Sequence, residues 1–170
     1  MVDKHVQIES ARGAIEQLRA IADRVNQATD KTVDDVLDIV QVETQANLSL
    51  TTHPPMTPTP SPPGSPPALI LGTLRRSVRS RRDPPSAPGI YSGRIGPTAI
   101  YGRIQELGGR IASKGRPLAW KTLDAEGQEK WNYAEHVNLP ARPFLKPAVE
   151  ATKERVREAF RRAWDRALRL

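Results

Sequence analysis

The chain of 170 residues is long enough for one domain of ordinary size, and its 38% hydrophobic residues allow a modest core but no second full domain. It contains no cysteine, which excludes disulfides and thiolate metal sites. The net charge of +7 is uneven, at −4 over residues 1–50, +8 over residues 71–116 and +5 over residues 141–170. This polarity favours a protein that stacks against unlike neighbours or faces DNA on one side.

The N-terminal half is acidic and has helical periodicity. Residues 5–9 alternate as a short strand would. Apolar residues then recur at helical spacing over residues 11–27 and again over residues 33–44, which predicts two helices, or one long helix with a break at residues 26–32. Three carboxylates outside the apolar stripe are interpreted as a solvated helix face rather than a metal site: Asp34, Asp35 and Asp38.

Residues 51–68 form a proline-rich arm or loop. Residues 51–67 hold eight of the sixteen prolines, and proline neither fits a helix interior nor donates to a sheet ladder. We expect an extended, exposed segment. Three roles remain open for it: a plain linker, an arm that orders on a neighbouring subunit, and an SH3-type ligand.

A hairpin and a short helix are predicted next. Residues 69–83 predict a turn leading into a strand, and residues 89–100 alternate again. We expect the two segments to pair in an antiparallel hairpin that a strand at Val6 would extend. Residues 101–107 predict a short helix ended by Gly108 and Gly109.

Residues 110–138 are interpreted as an irregular insertion, with a strand over residues 118–122 and a loop or poor helix over residues 124–137. Trp120 and Trp131 lie in this segment, either in a local cluster or at a subunit contact. A clear helix of about six turns follows, with Trp164 packed in the core. Its predicted apolar face comprises Leu145, Val149, Val156, Phe160, Ala163 or Trp164, and Ala167.

No grouping of residues suggests catalysis. His5, His53 and His136 are far apart in the sequence, and no nucleophile is accompanied by a base. The glycines near residue 90 lie in a strand-like hairpin and not between a strand and a helix, so they do not form a phosphate-binding loop. We therefore expect no enzyme activity, no catalytic residue, no bound metal and no cofactor. The absence of a long apolar run predicts a soluble chain without a signal peptide or membrane partner.

A run of arginines is the strongest charge feature. A guanidinium group can bind two oxygens of one phosphate, and such contacts release counterions from nucleic acid. The run has no interleaved aromatic residues that could stack on bases. Three interpretations remain open: a solvated surface, a non-specific surface for passing or packaged DNA, and a contact with an acidic neighbour. The run comprises Arg75, Arg76, Arg79, Arg81 and Arg82.

Three motifs in order resemble a known family. They are GTLRRSV at residues 72–78, IYGRIQELGG at residues 100–109 and LPARPFLKPAVEATKERV at residues 139–156. The order is similar to that of the minor tail component family of siphophages, known as tail-completion, neck or head-tail joining proteins. The likeness spans about residues 60–165 and is strongest at residues 141–148. Its signature residues are Tyr101, Glu106, Arg142, Pro143, Phe144, Leu145 and Pro147.

The resemblance implies a compact α+β fold over residues 1–170, with N-terminal helices and a long C-terminal helix packed on a small antiparallel sheet. It implies a structural virion protein, made in the host cytoplasm, that forms a sixfold ring around the DNA channel. Partners would be further copies of the chain, the connector or head-closure protein, the tail terminator and the tail tube, with non-specific contact to genomic DNA. Two alternatives remain open: a tail terminator capping the tail tube, and a small basic DNA-binding accessory protein.

Overall fold

The computed structural model describes residues 4–57 and 59–169, and only the backbone of residues 4–10. The fold is α+β, as the sequence predicts, with a long helix near each end and small antiparallel sheets between them. The helices are α1 (Lys4–Asn47), α2 (Thr73–Ser77), α3 (Gly102–Leu107) and α4 (Leu145–Leu168), and the strands are β1 (Val78–Arg82), β2 (Gly93–Pro97), β3 (Gly109–Ala112), β4 (Leu118–Leu123), β5 (Glu129–Ala134) and β6 (His136–Leu139).

The chain divides into two compact units. The first comprises the chain up to Asp38, Arg81–Arg94 and the chain from Glu154, and the second comprises Ile39–Ser80 and Ile95–Lys153. Elements α1, β1, β2 and α4 contribute residues to both units. The single domain expected over residues 1–170 stays a prediction. No helix within the described residues is long and apolar enough to cross a membrane.

Helix α1 is continuous over 44 residues, so both the strand predicted at residues 5–9 and the break at residues 26–32 are wrong. A five-residue alternation is too short to outweigh the helical pattern that follows it. No proline occurs before Pro54. The hydroxyls of Thr29 and Thr32 donate to the carbonyls four residues earlier, at 2.7 Å each, which accommodates these residues inside the helix.

The predicted hairpin is present as β1 and β2. The N–H of Asp83 donates to the carbonyl of Ser92 at 3.0 Å, and that of Thr98 donates to the carbonyl of Ser77 at 2.9 Å, which is an antiparallel pattern. Within the predicted turn and strand, residues 73–77 form the short helix α2 instead. Residue Val6 lies in α1 and does not extend the hairpin.

Helix α3 confirms the predicted short helix. It ends at Gly108, whose φ of 69° favours glycine, and whose N–H donates to the carbonyl of Ile104 at 2.9 Å. A Cβ at this position would lie 2.7 Å from the backbone nitrogen of Ala141. Gly108 therefore permits both the end of the helix and a close backbone approach.

Residues 109–139 form a two-stranded ribbon, which we call the ribbon. Strand β3 pairs antiparallel with β6, and β4 pairs antiparallel with β5 from Leu118↔Ala134 to Leu123↔Glu129. The strand predicted over residues 118–122 is confirmed. Of the loop or poor helix predicted over residues 124–137, residues 124–128 do form a loop, whereas the prediction is wrong beyond them because the chain forms β5 and the start of β6. The aromatic residues of β5 favour a strand, but the polar residues around them obscure the alternation.

The fully buried residues in the N-terminal half of α4 are small ones outside the predicted apolar face. Of that face, Leu145 packs half-buried against the core cluster, and the prediction for Val149 is wrong. Ala148 and Thr152 are fully buried, whereas Val149 is 40% exposed. The Thr152 hydroxyl donates to the carbonyl of Ala148 at 2.8 Å, so its polarity is satisfied within the helix. The placement of Trp164 in the core is also wrong, because this side chain is 42% exposed.

Each unit has its own buried residues. In the second unit Leu48, Val78 and Phe144 form a cluster, and three half-buried side chains surround it: Leu74, Ile95 and Leu145. In the first unit Val33 and Ala163 are buried. There the indole N–H of Trp164 donates to the hydroxyl of Thr29 at 2.9 Å, which joins α1 to α4 within that unit.

Candidate functional site

The start of α4 is held by a carboxylate from a different part of the chain. The Glu106 side chain accepts hydrogen bonds from the backbone N–H groups of Phe144, Leu145 and Lys146 at 2.7, 2.9 and 2.9 Å. The next residue, Pro147, has no N–H. A helix leaves four N–H positions unpaired at its start, so Glu106 and Pro147 together account for all four. The carboxylate charge also suits the positive end of the helix dipole.

Arg142 connects the same place to the proline-rich segment. Its side chain is 6% exposed, and its Nε donates to the carbonyl of Ser61 at 2.7 Å. Its backbone N–H donates to the carbonyl of Gln105 at 2.7 Å. The N–H of Gly64 donates to the carbonyl of Ala141 at 2.8 Å, so the proline-rich segment is attached at two points. Residues 141–148, with these contacts, are called the corner below.

The proline-rich segment is a closed loop on its own chain. The N–H of Leu69 donates to the carbonyl of Thr51 at 2.7 Å, and that of His53 donates to the carbonyl of Leu69 at 3.1 Å, so the two ends of the segment pair. The Ser61 hydroxyl accepts a hydrogen bond from the N–H of Ala68 at 2.8 Å. The sequence described residues 51–68 as an arm or a loop, and this geometry is that of a loop.

Phe144 is the hydrophobic centre of the corner. Its side chain is fully buried and lies in one cluster with Val78 of β1 and Leu48, and Ile95 of β2 packs against that cluster. Its carbonyl accepts a hydrogen bond from the Asn47 side-chain amide at 3.0 Å. The corner therefore joins α4 to the hairpin and to the end of α1 within the second unit.

An open apolar cavity of about 390 Å³ lies beside the corner. Its lining combines leucines with a few polar groups, and Tyr101, which is 40% exposed, is part of it. The buried Arg142 also lines it. The remaining signature residue, Pro143, is half-buried next to Arg142. Six other lining residues are Leu48, His53, Leu69, Leu71, Leu74 and Gln105.

The arginine run divides into one paired side chain and four exposed ones. Arg82 forms ion pairs with Asp30 and, at 3.0 Å, with Asp34, so two carboxylates of α1 offset its charge. Its use as a phosphate contact would require those pairs to break. The exposed members of the run are Arg75, Arg76, Arg79 and Arg81.

The other candidate polar residues do not converge. Asp34 is engaged with Arg82, whereas Asp35 and Asp38 are exposed on α1. In the part of the chain that the structure describes, no group of three or more His, Asp or Glu side chains could hold a metal ion. His53 lies beside the apolar cavity and His136 lies in β6. His5 belongs to α1, and its side chain lies outside the described part.

The ribbon carries exposed aromatic residues on one face. Cross-strand partners share a face, so Tyr133 lies with Ala119, and Trp131 lies with Lys121. The rings of Trp131 and Tyr133 stack with centroids 6.3 Å apart, and the Lys121 ammonium lies 5.1 Å from the Trp131 ring centroid. Trp131 is 53% exposed and Tyr133 is 67% exposed. Trp120, on the opposite face, is 40% exposed.

Two carboxyl groups have perturbed pKa values. The hydrogen bond from Arg94 to Asp83, 2.9 Å from Nε, holds the pKa of this carboxyl below its usual range. The hydrogen bond from Lys153 lowers the pKa of Glu150 in the same way. Both are surface ion pairs and not signs of a poised acid or base.

Three residues important to the corner carried no signal in the sequence: Asn47, Ser61 and Gln105. Each forms a hydrogen bond to the corner through a side-chain amide or a backbone carbonyl, and the partner lies 37 or more positions away in the chain. Only the pairing of distant segments identifies them. No family model, no curated protein and no solved structure matches this chain.

Proposed function

We propose that this chain is a structural virion protein of a tailed-phage neck, joining the tail to the head as part of a ring around the DNA channel. Its work is assembly and not catalysis. The proposed partners in the virion are those implied by the resemblance: further copies of the chain, a connector or head-closure protein, the tail terminator and the tail tube.

The observation that carries the proposal is the corner. The three motifs on which the resemblance rests meet there: Val78 from the first and Phe144 from the third lie in one cluster, and Glu106 from the second caps the helix that the third begins. A motif set that merely recurred by chance would have no reason to converge on one set of contacts. The convergence supports a common architecture with the family.

Exposed apolar side chains support the assembly role. Ile100 is 99% exposed, Leu71 is 69% exposed and Tyr133 is 67% exposed, all in the second unit. Large apolar side chains exposed in number commonly mark contacts with other protein chains. The stacked Trp131 and Tyr133 pair is the feature best suited to an interface, since aromatic residues often carry most of the binding energy there.

The proposal is tested by the mass of the assembly. Purified protein is measured by light scattering, alone and mixed with the connector and tail-tube proteins of the same phage. We expect a ring or a mixed complex in at least one of these samples. A chain that stays monomeric in all of them would overturn the proposal.

A matched pair of variants locates the contact. Trp131→Ser with Tyr133→Ser is expected to abolish the assembly, whereas Leu18→Ser with Val42→Ser removes apolar residues of similar exposure, 66% and 62%, from α1 and is expected to leave it intact. Equal loss in both would remove the ribbon from the proposed interface. A cryo-EM map of the intact neck then separates a tail-completion position from the tail-terminator alternative.

A further inference from the structure

A second cavity, of about 510 Å³, lies in the first unit between α1 and α4. Alanines form much of its lining, and their small side chains leave room between the helices: Ala28, Ala163 and Ala167. Four cationic side chains line the same space, two from α1, one from α4 and one that directly follows α4: Arg24, Lys31, Arg166 and Arg169. Asp35 is the single carboxylate among the lining residues, so the lining carries a net charge of +3.

One of the four cations has an unused donor. The Nε of Arg24 is buried and has no hydrogen-bond partner among the described residues. Buried donors are almost always paired, so this one is an exception. The half-buried Arg24 therefore has an unused donor beside a cavity where positive charge predominates.

The four cations of this cavity differ from the arginine run in whether carboxylates offset their charge. Asp30 and Asp34 neutralise Arg82 in the run, but no ion pair to a carboxylate is found for the four cations of the cavity within the described residues. Arg166 Nε donates to the carbonyl of Arg162 at 3.2 Å, which leaves its charge uncompensated. Arg24 and Lys31 are seven residues apart on α1, so they lie about 10 Å apart along its axis. The two cations of α1 are thus separated along the helix axis, as contacts to an extended anion would require.

We propose that this cavity binds the phosphodiester backbone of double-stranded DNA, with Arg24, Lys31, Arg166 and Arg169 as the phosphate contacts. Guanidinium groups suit phosphate oxygens because their donors form a planar fork. The choice of DNA among polyanions rests on the proposed neck function, in which the genome passes through the ring. The site contacts backbone phosphates, and its binding is independent of base sequence.

The test is duplex binding by the purified full chain, measured by fluorescence anisotropy across a series of salt concentrations. The test variant is Lys31→Gln with Arg169→Gln, because both side chains are exposed and their replacement leaves the helices intact. Each lost phosphate contact lowers the slope of log K against log salt by about 0.9, so we expect a slope reduced by about 2. The control, Arg19→Gln with Arg161→Gln, removes two exposed cations from the same helices outside the cavity and is expected to change the slope by less than about 1.

A separate readout follows Arg24 itself. The Nε–H resonance of Arg24 is expected to shift when a short duplex is added to the wild-type chain, and a resonance that stays in place under saturating duplex would overturn the assignment of Arg24. Equal slopes in the two double variants, or no duplex binding by the wild type, would overturn the site. So would a poly-glutamate peptide that displaces the duplex at lower concentration, since that result identifies an acidic protein as the partner.

The outcomes separate this proposal from the neck function. Assembly of the Lys31→Gln/Arg169→Gln variant with connector and tail-tube proteins is measured as for the wild type. Rings without duplex binding in the wild type would overturn the cavity and keep the neck function. Duplex binding through the cavity with no assembly would overturn the neck function and favour the DNA-binding accessory alternative.

Discussion

The corner and the ribbon lie in the same unit and are stabilised in different ways. In the corner, Phe144 is fully buried, Arg142 is 6% exposed, and one carboxylate accepts three backbone N–H groups. In the ribbon, β4 and β5 pair through six residues each, yet no residue of either strand is buried. The corner is stabilised by burial and by hydrogen bonds to distant segments, whereas the ribbon relies on its own ladder.

This difference separates the part of the second unit that maintains the fold from the part that is available to a partner. An isolated two-stranded hairpin is marginally stable in water, so a ribbon with exposed aromatic residues has more to gain from contact with another chain than the corner has. Changes in the corner should therefore lower the free energy of unfolding. Changes on the exposed face of the ribbon should affect assembly first.

The largest effect is expected from Phe144→Ala. Loss of a fully buried phenylalanine leaves a cavity among Leu48, Val78 and Ile95 and should cost about 3–5 kcal/mol in the free energy of unfolding. The measurement is denaturant unfolding followed by circular dichroism. Tyr133→Ala is the control, and it should cost about 1 kcal/mol or less because it removes one exposed stacking partner. Similar losses in the free energy of unfolding for the two variants would show that the corner stabilises the fold no more than the exposed face of the ribbon does.

Glu106→Gln should have the next largest effect. The variant keeps a side-chain oxygen but loses the charge and one acceptor atom, so the first turn of α4 loses part of its cap, at about 1–2 kcal/mol. Unfolding is measured in the same way. Glu154→Gln removes an exposed carboxylate from the same helix, where it pairs with Arg157, and should cost about 0.5 kcal/mol or less. If Glu154→Gln cost as much as Glu106→Gln, the cap would have no special role.

Gly108→Ala tests the close backbone approach between the residue that precedes the ribbon and the start of the corner, through the free energy of unfolding. The substitution places a Cβ 2.7 Å from the nitrogen of Ala141 and 2.9 Å from the carbonyl oxygen of Leu139, in addition to the cost of a positive φ. With φ at 69° and ψ at −177°, Gly108 lies in a region essentially limited to glycine, so the backbone conformation alone costs about 1–3 kcal/mol, and the contact adds to it. Gly115→Ala is the control, since its φ of 82° is also positive but nothing lies within 4 Å. Equal destabilisation would show that the close approach to the corner contributes nothing.

The smallest effect concerns the exposed pair of Glu150 and Lys153, one turn beyond the corner. The Lys153 hydrogen bond lowers the pKa of Glu150, so the stabilisation from this pair is present above the ordinary carboxyl pKa and is lost as the pH falls through the lowered value. Lys153→Gln should move the pKa of Glu150 up toward its usual range. Carboxyl carbon shifts in an NMR titration measure this change. An unchanged pKa would mean that the hydrogen bond is not maintained in solution.

Elements whose signals are local were predicted well. The hairpin, α3 and the extent of α4 depend on alternation, on glycine at a helix end and on proline in a first turn, all of which lie within a few residues of the element itself. Helix α1 was predicted in type but not in continuity, because the hydroxyls of Thr29 and Thr32 find acceptors inside the helix. The corner residues were named from the resemblance, but the hydrogen bonds that Glu106 and Arg142 form there were not predicted.

The sequence by itself determined the hairpin, α3 and the type of the two long helices, since backbone restrictions and apolar periodicity act over short distances. The tertiary structure alone decided which distant groups meet. Glu106 lies 38 or more positions before the residues whose N–H groups donate to it. Arg142 lies 81 positions beyond Ser61, to whose carbonyl its Nε donates. The four cations of the second cavity likewise come from opposite ends of the chain. Such pairings depend on how loops close and helices pack, and no spacing within a segment encodes them.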